Sequence, residues 1–280
     1  MLLLNPNVAA IISAIIAGGA AVLARKLLFK IKAMDYMVIN FLVMGGMLAI
    51  FSPWFFRFDL SWASLGNLFL VIAIDLAGNY LYFKTLENTE ASVAVPLLSL
   101  APVFTFLVGF LWLQEIVSAA TIFFSAAIIV SLVFFSIDLK NFKVFNKHTL
   151  IPALLSSLAF GVSAIPSKIL LHQLHATNGA SLYMVRAVAI AAVGFLCGGS
   201  VRGITSSQFF GVVARGVFVI GQYLLLYYAL AHTVAGVAVT LENTAPVFAF
   251  VFAVVFLKEK TTLKKIVCSI LILILSLLIV

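Results

Sequence analysis

The chain has 280 residues, of which 64% are hydrophobic and 9% charged, with a mean hydropathy of +1.24. A soluble domain carries about 25% charged residues, so this composition excludes one and describes a polytopic membrane protein. The formal charge of +8 does not point to nucleic acid, because the basic residues sit in short gaps between apolar runs, where they anchor helix ends at a membrane face.

Runs of about 20 apolar residues, the length that crosses a hydrocarbon core of about 30 Å, recur in chain order. They fall near 8–29, 35–56, 65–86, 91–113, 118–137, 149–171, 178–200, 208–232, 236–257 and 263–280. Each is expected to be a helix, since an open strand edge leaves amides unsatisfied in lipid. The first run has no basic residue before it and no polar cleavage region after it, and reads as a retained span. Cys197 and Cys268 lie inside apolar runs without metal-type spacing and read as buried thiols. No metal or cofactor is expected. His172 and His175 read as solvated loop residues at a membrane edge.

One tract occurs twice. Residues 91–115 and 235–259 are identical at 12 of 25 positions at an offset of 144, including Ala101-Pro102-Val103-Phe104 against Ala245-Pro246-Val247-Phe248 and Glu115 against Glu259. The polar stretch 138–148 then divides the ten spans into two sets of five, 8–137 and 149–280. An odd count turns the second set upside down relative to the first. The fold expected is an all-α integral membrane protein of ten transmembrane helices in two inverted five-helix repeats.

These residues carry a family resemblance. The chain looks like an EamA-type member of the drug/metabolite transporter superfamily, whose fourth repeat helix is similar to the Ala-Pro-(hydrophobic)-Phe tract ending in glutamate. Lys26 and Lys168 match a basic residue near the end of the family's first repeat helix, and Arg186 matches an arginine early in the second. The first half departs from the pattern, with Asn40-Phe41 in the region corresponding to Arg186 and no tryptophan in the first span. The resemblance implies transport and leaves the substrate open.

Polar residues within spans supply the candidate site, since a charge near the bilayer centre costs about 2.5–3.5 kcal/mol on insertion scales and normally faces a cavity or a partner. Asp75, Asn79 and Tyr82 make one stripe on the third span at helical spacing, and Arg215, Gln222 and Tyr223 make another on the eighth. Two readings stand: both stripes line a central cavity, or Asp75 clasps Arg215 or an asparagine and only holds helices together. Arg186 and Glu242 lie at a similar depth below one face with Lys168 nearby, and are read either as a gate pair or with Arg186 left for an anionic group. Asn243, Thr244 and Pro246 follow Glu242, and Pro96 and Pro102 stand in the fourth span. Each proline removes an amide donor, which gives kinks or exposed carbonyls. Gly18-Gly19, Gly45-Gly46 and Gly194-x-x-x-Gly198 are expected to permit close helix approach.

The reading is a secondary transporter of small organic metabolites, amino acids or related compounds first, working by alternating access about a cavity lined by spans 1, 3, 4, 6, 8 and 9. A lipid or lipid-linked substrate flippase is the alternative. The expected partners are a small-molecule substrate, a coupling proton or ion, and the bilayer of the cell (inner) membrane, with the protein a monomer or homodimer. Taking the N-terminal side as side A, the opposite side B holds thirteen basic residues against Arg57 and Lys168 on side A. That places side B in the cytoplasm, whereas the family resemblance implies cytoplasmic termini.

Overall fold

The computed structural model describes residues 4–28, 31–88, 99–136, 147–257 and 261–279. Their helices are α1 (Pro6–Leu28), α2 (Ala33–Phe55), α3 (Trp62–Asn88), α4 (Ala101–Leu113), α5 (Ala119–Ser136), α6 (Lys147–Lys168), α7 (Gly179–Leu196), α8 (Ser206–His232), α9 (Ala235–Glu242), α10 (Ala245–Leu257) and α11 (Leu263–Ile279). They correspond to ten apolar segments, because α9 and α10 are the two pieces of the ninth. Among the described residues, extended pairing is limited to one bridge, Phe58 to Thr177. Pro96 and most of the 138–148 connection lie outside the described residues, as does the side chain of Lys26.

The helix pairings reproduce the two-fold relation. In repeat terms, α1 packs on α8 and α3 on α6, which is first helix against third in both directions. The first-to-fourth contact also occurs twice, as α1 on α10 and α6 on α4. The second helices meet each other as α2 on α7, and the fifth as α5 on α11. Exchanging the halves leaves this pattern unchanged, as two inverted repeats about one axis require.

Two glycines show how close the repeated contact is. A Cβ on Gly161 of α6 would lie 2.4 Å from the Ala101 carbonyl and 2.8 Å from the Phe104 Cβ; one on Gly18 of α1 would lie 2.8 Å from the Phe248 Cβ. Phe104 and Phe248 are the duplicated phenylalanines of the repeated tract, so each half uses a glycine on its first helix to seat the other half's fourth helix. Gly45 and Gly194 also sit at tight crossings, whereas Gly46 and Gly198 meet no atom within 4 Å. Gly161→Leu should therefore abolish monodisperse protein, since overpacking a full contact costs about 1–3 kcal/mol or more. Gly46→Leu, pointing into open space, should leave yield and elution profile unchanged in detergent.

The membrane faces are stitched differently. On side A the α2–α3 turn meets the α6–α7 turn: Asp59 N donates to Ala176 O at 2.7 Å, Thr177 Oγ1 to Arg57 O at 2.9 Å and Asn178 Nδ2 to Phe55 O at 2.7 Å. On side B, Ser200 N donates to Asp35 Oδ1 at 2.7 Å, tying the α7–α8 loop to the start of α2. Trp54 and Trp62 are exposed at the side A helix ends, which suits an interfacial position. Cys197, expected to be buried, is exposed at the side B end of α7, while Cys268 is buried. The helix stops there at a glycine turn, and that turn lifts the thiol out of the packed region. Cys197 reports orientation. If the basic side faces the cytoplasm, a membrane-impermeant maleimide should label it in inside-out vesicles and not in intact cells. Labelling of intact cells would reverse the assignment.

Candidate functional site

The ninth segment breaks where the two halves meet. Val239 O accepts from Asn243 N at 2.9 Å and Leu241 O from Thr244 N at 3.2 Å, after which α10 restarts at Ala245. Pro246 stands in the first turn of α10, and Pro102 in the first turn of α4. At those places a helix has no use for the missing donor. Each proline stands at the start of a helix instead of kinking a continuous one, which corrects the sequence expectation. The break leaves Glu242 at the last position of α9.

Four side chains from three helices enclose Arg186. Its Nε lies 2.7 Å from Asp75 Oδ2, with side-chain exposures of only 3% and 2%. Its Nη1 donates to the Tyr227 hydroxyl at 2.7 Å. The guanidinium carbon also sits 4.5 Å from the Tyr223 ring centre and 5.3 Å from that of Tyr183, and those two rings stack on each other at 4.6 Å. A planar cation beside a stacked pair of rings gains from the ring quadrupoles while keeping its edge for hydrogen bonds. Arg186 is thus already committed. It pairs with Asp75 and not with Glu242, and Asp75 pairs with Arg186 and not with Arg215; both sequence-based pairings are corrected.

The remaining expected residues divide by where their polar atoms point. Asn79 Nδ2 donates to its own helix at Asp75 O, 2.8 Å away, and Asn243 Nδ2 likewise to Val239 O at 2.9 Å. Neither amide nitrogen is spent across the centre. Tyr82 packs edge-on against Phe83 and against Phe160 of α6. Arg215 donates through Nη1 to Asn40 Oδ1, while its Nε is buried with no partner. Gln222 Nε2 donates to Glu242 Oε1 at 2.8 Å. Among the described residues no cation reaches Glu242 within ion-pair distance and no carboxylate reaches Arg215.

Lys168 is not part of this group. It forms an ion pair with Glu115 and donates to Thr233 O at 2.5 Å, and the Glu115 carboxylate also accepts from Ala235 N at 3.2 Å. A π turn, Ile169–Gln173, follows Lys168 and ends α6 at this face. The result is a latch at side A that ties the α4–α5 turn, the end of α6 and the start of α9. Glu115 was visible as a repeated residue but not as a functional one; Asn40, Tyr183, Tyr227 and Tyr36, whose ring centre lies 5.8 Å from the Arg215 guanidinium carbon, were not singled out either. Spacing gave a usable hint for two of them, since Tyr183 precedes Arg186 by three and Tyr227 follows Tyr223 by four.

Comparison with known proteins settles the family. A family model described as the EamA-like transporter family matches residues 5–137 and again residues 148–280. The chain belongs to the EamA-like transporter family. This EamA-like protein also superposes on a solved structure titled "Crystal structure of protein", with a TM-score of 0.78, 16% identity, and coverage of 95% of this chain and 93% of that one. At that identity the likeness concerns the fold alone. No curated protein matches the chain. For the EamA-like protein the latch should be worth measuring by itself. Glu115→Gln and Lys168→Met should each cost about 1.5–3 kcal/mol, the range for hydrogen bonds to charged groups. The double variant should cost clearly less than their sum, as read from thermal unfolding in detergent.

Proposed function

We propose that this chain is a secondary transporter of small organic metabolites, amino acids or related compounds, working by alternating access in the cell (inner) membrane. The observation that carries the reading is the charged centre at the contact between inverted halves. Charges within a bilayer face a partner or a pathway, and here Arg215 and Glu242 have only neutral partners among the described residues. Inverted halves supply the mechanism, because exchanging their conformations moves a shared site from one face to the other. Asp75 and Arg186 are closed off inside the helix packing, away from lipid, which favours a soluble solute over a lipid. The partners proposed are that solute and a coupling proton or ion. The test is metabolite release and uptake in strains lacking and overproducing the protein, followed by flux in proteoliposomes. A reading of transport fails if purified protein in liposomes moves no solute of any charge class.

A further inference from the structure

At the side B face, the start of α2, the last turns of α3 and the turn after α7 surround a cavity of about 500 Å³. Its walls include Lys32, Asp35, Tyr80, Lys84, Cys197 and Ser200, none of which belongs to the charged centre. Among the described residues the lining thus carries two lysines against one carboxylate. That carboxylate is turned to the loop, where it accepts from Ser200 N at 2.7 Å. Lys84 Nζ stands 5.6 Å from the centre of the Tyr80 ring, which keeps the ammonium group beside the cavity wall. Lys32 precedes the first turn of α2, so the positive end of that helix dipole adds to the field of the two side chains.

Depth decides what such a cavity meets. Lys84 stands four residues before the end of α3 at Asn88, about 6 Å of helix rise. Lys32 lies just before α2, and α7 stops at Leu196. The cavity is therefore level with the headgroups, where the helices leave the hydrocarbon. Two apolar stripes lead to it through lipid. On α3, Phe69, Ala73, Ala77 and Tyr80 are exposed and recur at three- and four-residue steps, ending at Lys84. On α7, Val188, Ala192 and Leu196 are exposed at four-residue steps, ending at Cys197. A ligand with apolar tails can lie on those stripes while its head enters the cavity. A soluble anion uses the lysines alone.

We propose that this cavity is a site for an anionic phospholipid, with Lys32 and Lys84 holding its phosphodiester and its acyl chains lying along α3 and α7. One negative charge on the headgroup matches the single positive charge left on the described lining. Basic residues beside the bilayer surface attract anionic lipid by about fivefold in affinity each, and basic pockets between spans are a recurrent headgroup site. A zwitterionic phospholipid has no net charge to offer. The bound lipid bridges α2 and α3 of the first half to α7 of the second. The site is independent of the transport reading and stands or falls without it.

Cys197 lines the cavity and is exposed, so it reports occupancy. The protein is placed in phosphatidylcholine nanodiscs containing increasing phosphatidylglycerol. Alkylation of Cys197 by uncharged N-ethylmaleimide is followed by peptide mass spectrometry, each protein being scaled to its own rate in pure phosphatidylcholine. The expected result is a saturable slowing as phosphatidylglycerol rises, with one such lipid retained by the wild type in native mass spectra. Lys32→Gln and Lys84→Gln should each raise the half-protecting fraction by about fivefold, and the double variant should raise it further and lose the retained lipid. Lys265→Gln on α11 removes the same charge from the same membrane face and should not move it. The wild-type titration and its native spectrum stand even where a variant fails to fold. A rate indifferent to phosphatidylglycerol overturns the site. An equal shift in Lys265→Gln also overturns it, by reducing the effect to surface charge. Protection by inorganic phosphate or glycerol 3-phosphate in pure phosphatidylcholine overturns the lipid as occupant and puts a soluble phosphate in its place.

Discussion

Asp75→Asn should leave little folded protein, and Asp75→Asn combined with Arg186→Gln should restore much of it. The pair is almost wholly enclosed, with side-chain exposures of 3% for Arg186 and 2% for Asp75. Removing one partner of a buried ion pair costs about 3–5 kcal/mol, because the charge left behind has neither water nor a counter-ion. That is a large share of a stability of about 5–15 kcal/mol. Tyr227 and the two stacked rings would still touch the guanidinium, but dipoles and quadrupoles do not replace a full charge. Removing both charges at once leaves two amides of similar shape that can bond to each other, so the double variant should elute as a single peak where each single variant aggregates. Size-exclusion profiles of fluorescently tagged protein would show this directly. The contrary result, Asp75→Asn with a wild-type profile and no flux, would move the carboxylate from architecture to the transport step.

The sequence made the architecture readable because lipid allows little choice. A membrane-length apolar run must be a helix, and a tract repeated after five spans must return inverted. Depth, too, was readable from position along each span. Azimuth was not. Arg186 and Glu242 lie at similar depth, but which groups face each other depends on the rotation of α7 and α9 about their own axes. Apolar residues surround the polar ones on nearly all sides in lipid, so hydrophobic periodicity says little about that rotation. Lys168 was expected near the side A face and lies there, but its partner was not readable: α6 ends beside the α4–α5 turn, where Glu115 neutralises it. Glu242 looked like the start of a proline kink, whereas the helix stops before the proline and begins again. The break changes what Glu242 is, from a mid-helix acid to the last residue of a half-helix. Asn40 was noticed only as a departure from the arginine of the other half, and that departure turned out to be the partner of Arg215.

The two deep acids should behave oppositely, and Glu242→Gln is where the contrast is greatest. Asp75 is paired with a cation, whereas Glu242 accepts from a neutral amide, so replacing Glu242 with its neutral isostere removes a charge without stranding one. The variant should fold, with an elution profile and thermal stability close to wild type, yet move the proposed substrate at least about tenfold more slowly, the effect of losing roughly 1.4 kcal/mol of interaction with the charged carboxylate. It should also change the response to pH. A carboxylate attracts a cationic group of a substrate only when ionised, so acidification protonates it and raises the KM of the wild type, while alkalinity restores the anion and lowers the KM again. The Gln222 amide does not titrate. Between Gln222 and Glu242 only the acid changes charge, and Glu242→Gln should flatten the dependence of KM on pH. Arg215→Gln should weaken transport and keep the slope. If Glu242→Gln keeps the wild-type pH profile, the titrating group lies elsewhere and Glu242 does not meet the substrate's charge.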